Sequence, residues 1–266
     1  MKLLVFDLDG TLLEKDGTLD PRTVDLLKQL DISGVKSTIA TGRSLKSTRQ
    51  FIEALSLKIP VILFNGARVY DPASGSYIFS KSLPWSIVER FVSLCKDLSV
   101  SLFLFVDEDA YAMNPGLRAS DYIFRDGLSY FPLVNLSCLS GRTVTKIVIA
   151  GLVNELTKLR FFTELNDPCV NVTQSEENLL EVLPAGVSKA EALKWLCGFL
   201  RLDLKDVVAF GNGENDLEMI KIAGIGITFA DAPPSLRYHA GTILSTCGYV
   251  GLREFVEKHI ERAVLR

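Results

Sequence analysis

Leu3-Leu4-Val5-Phe6-Asp7-Leu8-Asp9-Gly10-Thr11 sets an unbroken apolar run against two carboxylates and a glycine turn. Four apolar residues in succession, with no polar alternation, fit a strand buried on both faces of a parallel sheet. Ligands of such sheets bind just beyond the carboxyl ends of the strands, where Asp7 and Asp9 stand. In a strand that continued, residues two apart would project from one face, crowding both acids into one small volume. Carboxylates that close repel unless a cation or a shared proton lies between them. The stretch therefore reads as a nucleophilic Asp with an acid/base partner at a Mg²⁺ site, or else as a plain acidic turn after a strand.

The same grammar recurs twice, and a helix start of related chemistry lies between the two. In Ser37-Thr38-Ile39-Ala40-Thr41-Gly42-Arg43-Ser44 a β-rich run ends on a hydroxyl and a glycine, and a helix beginning at Ser44 would point its N-terminus at an anion. Thr41 and the Gly42 amide are candidates for holding phosphate oxygens, although an ordinary strand-to-helix turn uses the same residues. In Gly186-Val187-Ser188-Lys189-Ala190-Glu191 the Ser188/Glu191 spacing fits a capping box. Lys189 then falls in the first helical turn, where a cation opposes the helix dipole. That misfit points to a phosphate and the Asp7 carboxylate as its partners, with a solvated surface lysine as the alternative. Val207-Val208-Ala209-Phe210-Gly211-Asn212-Gly213-Glu214-Asn215-Asp216 is again a buried run, a glycine turn and a set of polar oxygens. An Asn/Gly-rich turn would explain its glycines but not Asp216 at this spacing.

In this order the four segments resemble the four signatures of the haloacid-dehalogenase superfamily. The fourth signature of that superfamily is GDxxxD, and Asn212 stands here in place of its first acid. An amide oxygen still ligates a hard cation, but without the charge it should hold Mg²⁺ less tightly. Asn65-Gly66-Ala67 and Phe229-Ala230-Asp231-Ala232-Pro233-Pro234 resemble core loops of the Cof-like subfamily, with Asp231 where Asn is usual. The stretch between the second and third signatures resembles that subfamily's type-IIB cap. The resemblance implies an α/β protein: a Rossmann-like parallel sheet core over residues 1–82 and 186–266, and an inserted α+β cap over 83–185. It implies phosphoryl transfer through a phospho-aspartate, with Asp7 as nucleophile and Asp9 as acid and then base. Asp7, the Asp9 carbonyl, Asn212 and Asp216 would hold Mg²⁺. Thr41, Gly42, Lys189 and Asn215 would bind the phosphate. The substrate implied is a small phosphorylated metabolite such as a sugar phosphate. A sugar phosphomutase and a non-catalytic phosphate-binding protein remain alternatives. Asp107, Asp109, Tyr111, Arg118 and Arg125 are candidate cap residues facing substrate.

The rest of the chain agrees with this reading. In 266 residues, 48% are hydrophobic, 23% are charged, and the net charge is -3, enough for one or two domains with a core and no electrostatic case for nucleic acid. Only His239 and His259 are available as imidazoles, which disfavours His-based hydrolysis and His-ligated zinc. Five cysteines, without a CxxC pair, fit buried free thiols in a reducing compartment. Asp7 and Asp9 cut short any leader-like start, and no later apolar run reaches membrane-spanning length, so a cytoplasmic protein is expected, monomeric or homodimeric. The pattern predicts helices over 21–30, 44–55, 85–98 and 154–165 and from 188. Strands are expected over 35–40, 61–64, 101–106, 145–149, 170–173, 179–183 and 225–229 and from 207.

Overall fold

Both faces of the first strand are covered, as its composition requires. In the computed structural model, which describes residues 2–116, 122–123, 127, 129–166, 168–176 and 178–260, β1 (Leu3–Phe6) is the inner strand of a parallel sheet. Its neighbours are β2 (Lys36–Ile39) on one side and β12 (Val207–Phe210) on the other, with Leu3 level with both Lys36 and Val207. The sheet continues through β13 (Ile225–Phe229) to β14 (Thr242–Leu244), in the order β14-β13-β12-β1-β2. Leu3 and Val5 pack under the helix Lys189–Leu200 against Leu193 and Leu196. Leu4 and Phe6 pack on the opposite face with Leu26 and Leu27 of the helix Pro21–Ile32 and Phe255 of the helix Gly248–His259. Three helices of this layer begin on a side-chain cap: Asp20 accepts from the Arg22 N–H, Ser44 from the Ser47 N–H ahead of the helix Leu45–Ala54, and Ser188 from the Glu191 N–H.

β3 (Val61–Leu63) adjoins this sheet through a parallel bridge between Ala40 and Ile62, then turns into an antiparallel arm with β4 (Arg68–Asp71) and β5 (Ser76–Ser80). A second, six-stranded sheet follows. Its strands are β6 (Ser101–Val106), β7 (Asp109–Met113), β8 (Tyr130–Pro132), β9 (Val144–Ala150), β10 (Val170–Glu176) and β11 (Leu179–Pro184). They lie in the order β10-β11-β9-β6-β7-β8, antiparallel apart from the β7–β8 pair. One face carries Leu102, Leu104, Ile147, Ile149 and Val182 against Val88 and Phe91 of the helix Trp85–Lys96 and Leu156 of the helix Val153–Asn166. The other face turns toward the parallel sheet, and Phe105 meets Phe64 edge-on at 5.7 Å. This is an α/β fold with a parallel sheet core and an antiparallel sheet cap.

Most expected elements are present within a residue or two. β7, β8 and β14 were not expected. All five cysteines are free, but Cys138 and Cys169 are exposed rather than buried. Among the described residues no helix is long and apolar enough to cross a membrane.

Candidate active site

Three chain segments end together at one edge of the parallel sheet. Asp7 follows β1 directly, its N–H donating to the Phe210 carbonyl of β12 at 3.0 Å. Thr41 follows β2, with its N–H on the Ile62 carbonyl at 2.9 Å, and Gly211 follows β12, with its N–H on the Ile227 carbonyl at 3.1 Å. The N-terminus of the helix Lys189–Leu200 delivers Lys189 to the same place.

Lys189 Nζ lies 2.6 Å from Asp7 Oδ1 and 2.7 Å from Asp216 Oδ1. The three side chains are 1%, 6% and 0% exposed, so two carboxylates and one ammonium share a space closed to water. Asp216 Oδ2 accepts from the Asn212 and Gly213 N–H groups at 3.0 Å each. Gly211 makes room for this arrangement, because a Cβ there would stand 2.4 Å from that of Asp216. Burial, with Asp216 and Asp9 nearby, outweighs Lys189 and pushes the Asp7 carboxyl up to about 7. Burial works against the Lys189 charge too, but Asp216 and Asp7 overcome it and hold the ammonium above the usual lysine value.

Asp9 does not stand beside Asp7 as a continuing strand would place it. β1 stops at Phe6, and the chain turns through a tight loop over residues 8–12 in which Gly10 takes φ +66°. A side chain at Gly10 would collide with Asn212 Nδ2 at 2.2 Å. The turn carries the Asp9 carboxylate to Arg43, which grips it through Nε at 2.9 Å and Nη2 at 2.6 Å. Arg43 is 6% exposed. It lies within the second motif, but its type and spacing alone assigned it no role. A planar fork beside an acid is the signal that singles it out.

Asn212 Oδ1 accepts from the Thr11 hydroxyl at 3.3 Å. Thr41 is buried, with its hydroxyl oxygen accepting from the Arg43 N–H at 3.2 Å. Asn215 Nδ2 donates to Asn65 Oδ1 at 3.1 Å, so its amide is held by a neighbouring loop. Asp107, Asp109 and Tyr111 gather around Arg142 on the cap. Arg118 and Arg125 lie outside the described residues. Two cap residues that sequence did not single out, Lys146 and Glu181, do reach the site: Lys146 Nζ donates to the Gly42 carbonyl at 2.8 Å. A charge interrupting an otherwise apolar strand was their only mark. Between cap and core a cavity of about 200 Å³ is lined by Asn65, Asn171, Thr173, Ser188, Lys189 and Asn215.

The donor set suits a hard cation in kind, since every candidate atom is a carboxylate, amide or carbonyl oxygen. The buried cluster also carries one carboxylate more than its ammonium balances. Asp216 accepts two N–H groups on Oδ2 and the lysine on Oδ1, leaving Oδ1 a single lone pair to offer.

A family model described as haloacid dehalogenase-like hydrolase matches residues 4–248. A curated protein of Cronobacter sakazakii named HMP-PP phosphatase is 34% identical over 236 residues, covering 88% of this chain and 86% of its own. Among solved structures, a haloacid dehalogenase-like hydrolase from Bacteroides thetaiotaomicron superposes with a TM-score of 0.87 at 24% identity, over 97% of this chain and 98% of that one. The subclass IIB sugar phosphatase BT4131 superposes with a TM-score of 0.83 at 18% identity over the whole of both chains, a likeness of fold.

Proposed function

Because this chain belongs to the haloacid dehalogenase-like hydrolase family and is a phosphatase of its Cof-like branch, we propose that it hydrolyses small phosphate esters through a phospho-aspartate formed on Asp7. The buried Asp7–Lys189–Asp216 cluster at the end of β1 carries this reading. Lys189 holds one oxygen of Asp7 and leaves Oδ2 to attack phosphorus in line with the leaving oxygen. As the Asp7–phosphorus bond forms and the bond to the leaving oxygen breaks, Asp9 gives that oxygen its proton. Asp9 then takes a proton from water, whose attack on phosphorus frees Asp7 and inorganic phosphate. The Asp9 carboxylate rests on Arg43, so the acid step requires it to leave that pair, take up a proton from water and turn toward the leaving group once substrate is seated. Thr41, the Gly42 amide, Lys189 and Asn215 are the phosphate-binding groups of this proposal.

Mg²⁺ is the proposed cofactor, held by Asp7, the Asp9 carbonyl, Asn212 and the remaining lone pair of Asp216. When bound it would offset the repulsion between the Asp7 carboxylate and the phosphate. Residues 1–82 and 186–266 are the catalytic core of the proposal and 83–185 its cap. The cavity of about 200 Å³ fits a small leaving group, and its amides and hydroxyls, with Arg160, Lys189, Glu214 and Glu218 also in the lining, suit one that is polar and hydrogen-bonds. Sugar phosphates meet that description, and the name of the relatives makes HMP-PP the other compound to try. Five free thiols support a reducing, cytoplasmic setting. Among the described residues no feature of the site favours the phosphomutase alternative.

The test is phosphate release from sugar phosphates, HMP-PP and p-nitrophenyl phosphate with Mg²⁺ titrated, for wild type and Asp7→Asn. The expected result is metal-dependent release that Asp7→Asn lowers by at least ~10³-fold, as loss of a nucleophile does. Release that survives Asp7→Asn, or no release from any compound at saturating Mg²⁺, overturns the proposal.

A further inference from the structure

The cap sends a buried ion pair into the core. Lys146 on β9 and Glu181 on β11 are 2% and 4% exposed, with Nζ 3.1 Å from Oε1. Each is the charged exception in an apolar strand, Val144–Ala150 and Leu179–Pro184. Strand alternation puts Lys146 on the side of Val148, and Glu181 on the side of Leu179 and Leu183, the face turned toward the parallel sheet.

Neither charge is spent on its partner alone. Lys146 Nζ also donates to the Gly42 carbonyl at 2.8 Å. The N–H of the same 42–43 peptide donates to Thr41 Oγ1 at 3.2 Å, so that peptide is pinned at both ends, once from within its own motif and once from the cap. Glu181 Oε2 accepts from Asn65 Nδ2, and Asn65 Oδ1 accepts from Asn215 Nδ2. Asn65 is itself buried in a left-handed conformation, φ 52°, and lies so close to Gly42 that a Cβ there would meet Asn65 Oδ1 at 3.0 Å. The proposed phosphate-binding segments at 41–43 and 215, and Asn65 between them, are thus tied to one another and to one pair of cap charges.

Stability does not require such a pair, since a buried ion pair replaced by apolar side chains of like volume is often as stable or more so. We infer that Lys146 and Glu181 are positioning residues that set the phosphate-binding loops in their working geometry when the cap is shut. Lys146 fixes the 42–43 peptide beside Thr41, and Glu181 fixes which way the Asn65 and Asn215 amides face. Small displacements of such groups reduce turnover steeply. The inference rests on the phosphatase reading of the same site.

The experiment compares wild type, Lys146→Met, Lys146→Arg and Lys146→Met/Glu181→Leu by thermal melting, by kcat and KM for p-nitrophenyl phosphate, and by affinity for orthovanadate. Lys146→Met leaves Glu181 buried without a counter-charge, so both Tm and kcat fall. In the double variant Tm recovers while kcat stays about 10–100-fold down with KM little changed and orthovanadate binding weakened about tenfold. Lys146→Arg, which keeps a donor, regains part of kcat. A double variant that regains wild-type kcat and orthovanadate affinity along with its Tm overturns the positioning role. Absence of turnover in wild type overturns the phosphatase reading instead, and orthovanadate affinity in the double variant still decides the positioning role.

Discussion

Among the described residues two charge clusters have every member buried, and they differ in their sums. Asp7, Lys189 and Asp216 set two carboxylates against one ammonium, whereas Lys146 and Glu181 set one against one. A buried charge without a partner is costly, so the unbalanced cluster calls for a further proton or a cation. The balanced pair is complete as it stands and is suited to holding other groups in place. Burial above all, with Asp216 and Asp9 adding to it against Lys189, raises the Asp7 carboxyl to about 7. Charge arithmetic thus separates the proposed catalytic cluster from the proposed positioning pair, although every member of both is buried.

Removing the single cation of the unbalanced cluster is the sharpest way to break this contrast. Lys189→Met leaves Asp7 and Asp216 facing each other, and breaking a buried pair in this way costs on the order of 3–5 kcal/mol. Phosphate release should fall by ~10²–10³-fold, because the nucleophile loses its orienting group and the phosphate a cation. Unlike the cap pair, this cluster should not be repaired by neutralising the partner: Lys189→Met/Asp216→Asn regains Tm but no activity. Activity within tenfold of wild type in Lys189→Met would make the two clusters equivalent and remove the distinction.

The two regions also differed in how far sequence revealed them. The parallel core was legible because strands covered on both faces are continuous apolar runs, and its helices announce themselves through Asp20-Pro21, Ser44 and Ser188 at their starts. Asp7, Lys189 and Asp216 could be named because each lies at the end of such an element. The mutual placement of Asp7 and Asp9 could not, since it depends on the loop at Gly10, and strand alternation stops applying at Phe6. In the cap, β7 alternates in burial, but its inward residues are only the small Ala110 and Ala112, which carry little apolar signal in the sequence, and β8 is three exposed residues. Lys146 and Glu181 were hidden for another reason. Their partners, Gly42 and Asn65, are more than a hundred positions away, and only the docking of the cap sheet on the core brings them together.

Adding to the imbalance should sharpen the contrast. Asn212→Asp places another carboxylate beside the unbalanced cluster, where the amide oxygen now accepts from Thr11. With EDTA the variant should melt below wild type, and with Mg²⁺ the order should reverse, because each charged oxygen added strengthens a hard-cation site. The Mg²⁺ concentration for half-maximal turnover should drop about tenfold, the scale on which groups around a metal alter its affinity. Equal melting in EDTA and an unchanged Mg²⁺ requirement would mean that position 212 feels neither the buried charge nor the cation.

The smallest effect is one of pH on metal-free stability. Asp7 is held at about 7 in the folded chain against an ordinary 3.8, so between those values the folded state binds a proton that the unfolded state has released. Stability must therefore decline as pH rises from about 4 to about 7, and this group contributes no slope on either side of that window. Each unit of separation corresponds to about 1.4 kcal/mol. Denaturant melts in EDTA across the window should show the decline for wild type, and Asp7→Asn, having no proton to release, should lose it. Mg²⁺ should flatten it as well, since a cation favours the ionised carboxylate that burial and Asp216 oppose. If stability instead rises across the window in EDTA, Lys189 alone balances both carboxylates, and the unbalanced cluster is no different in kind from the pair in the cap.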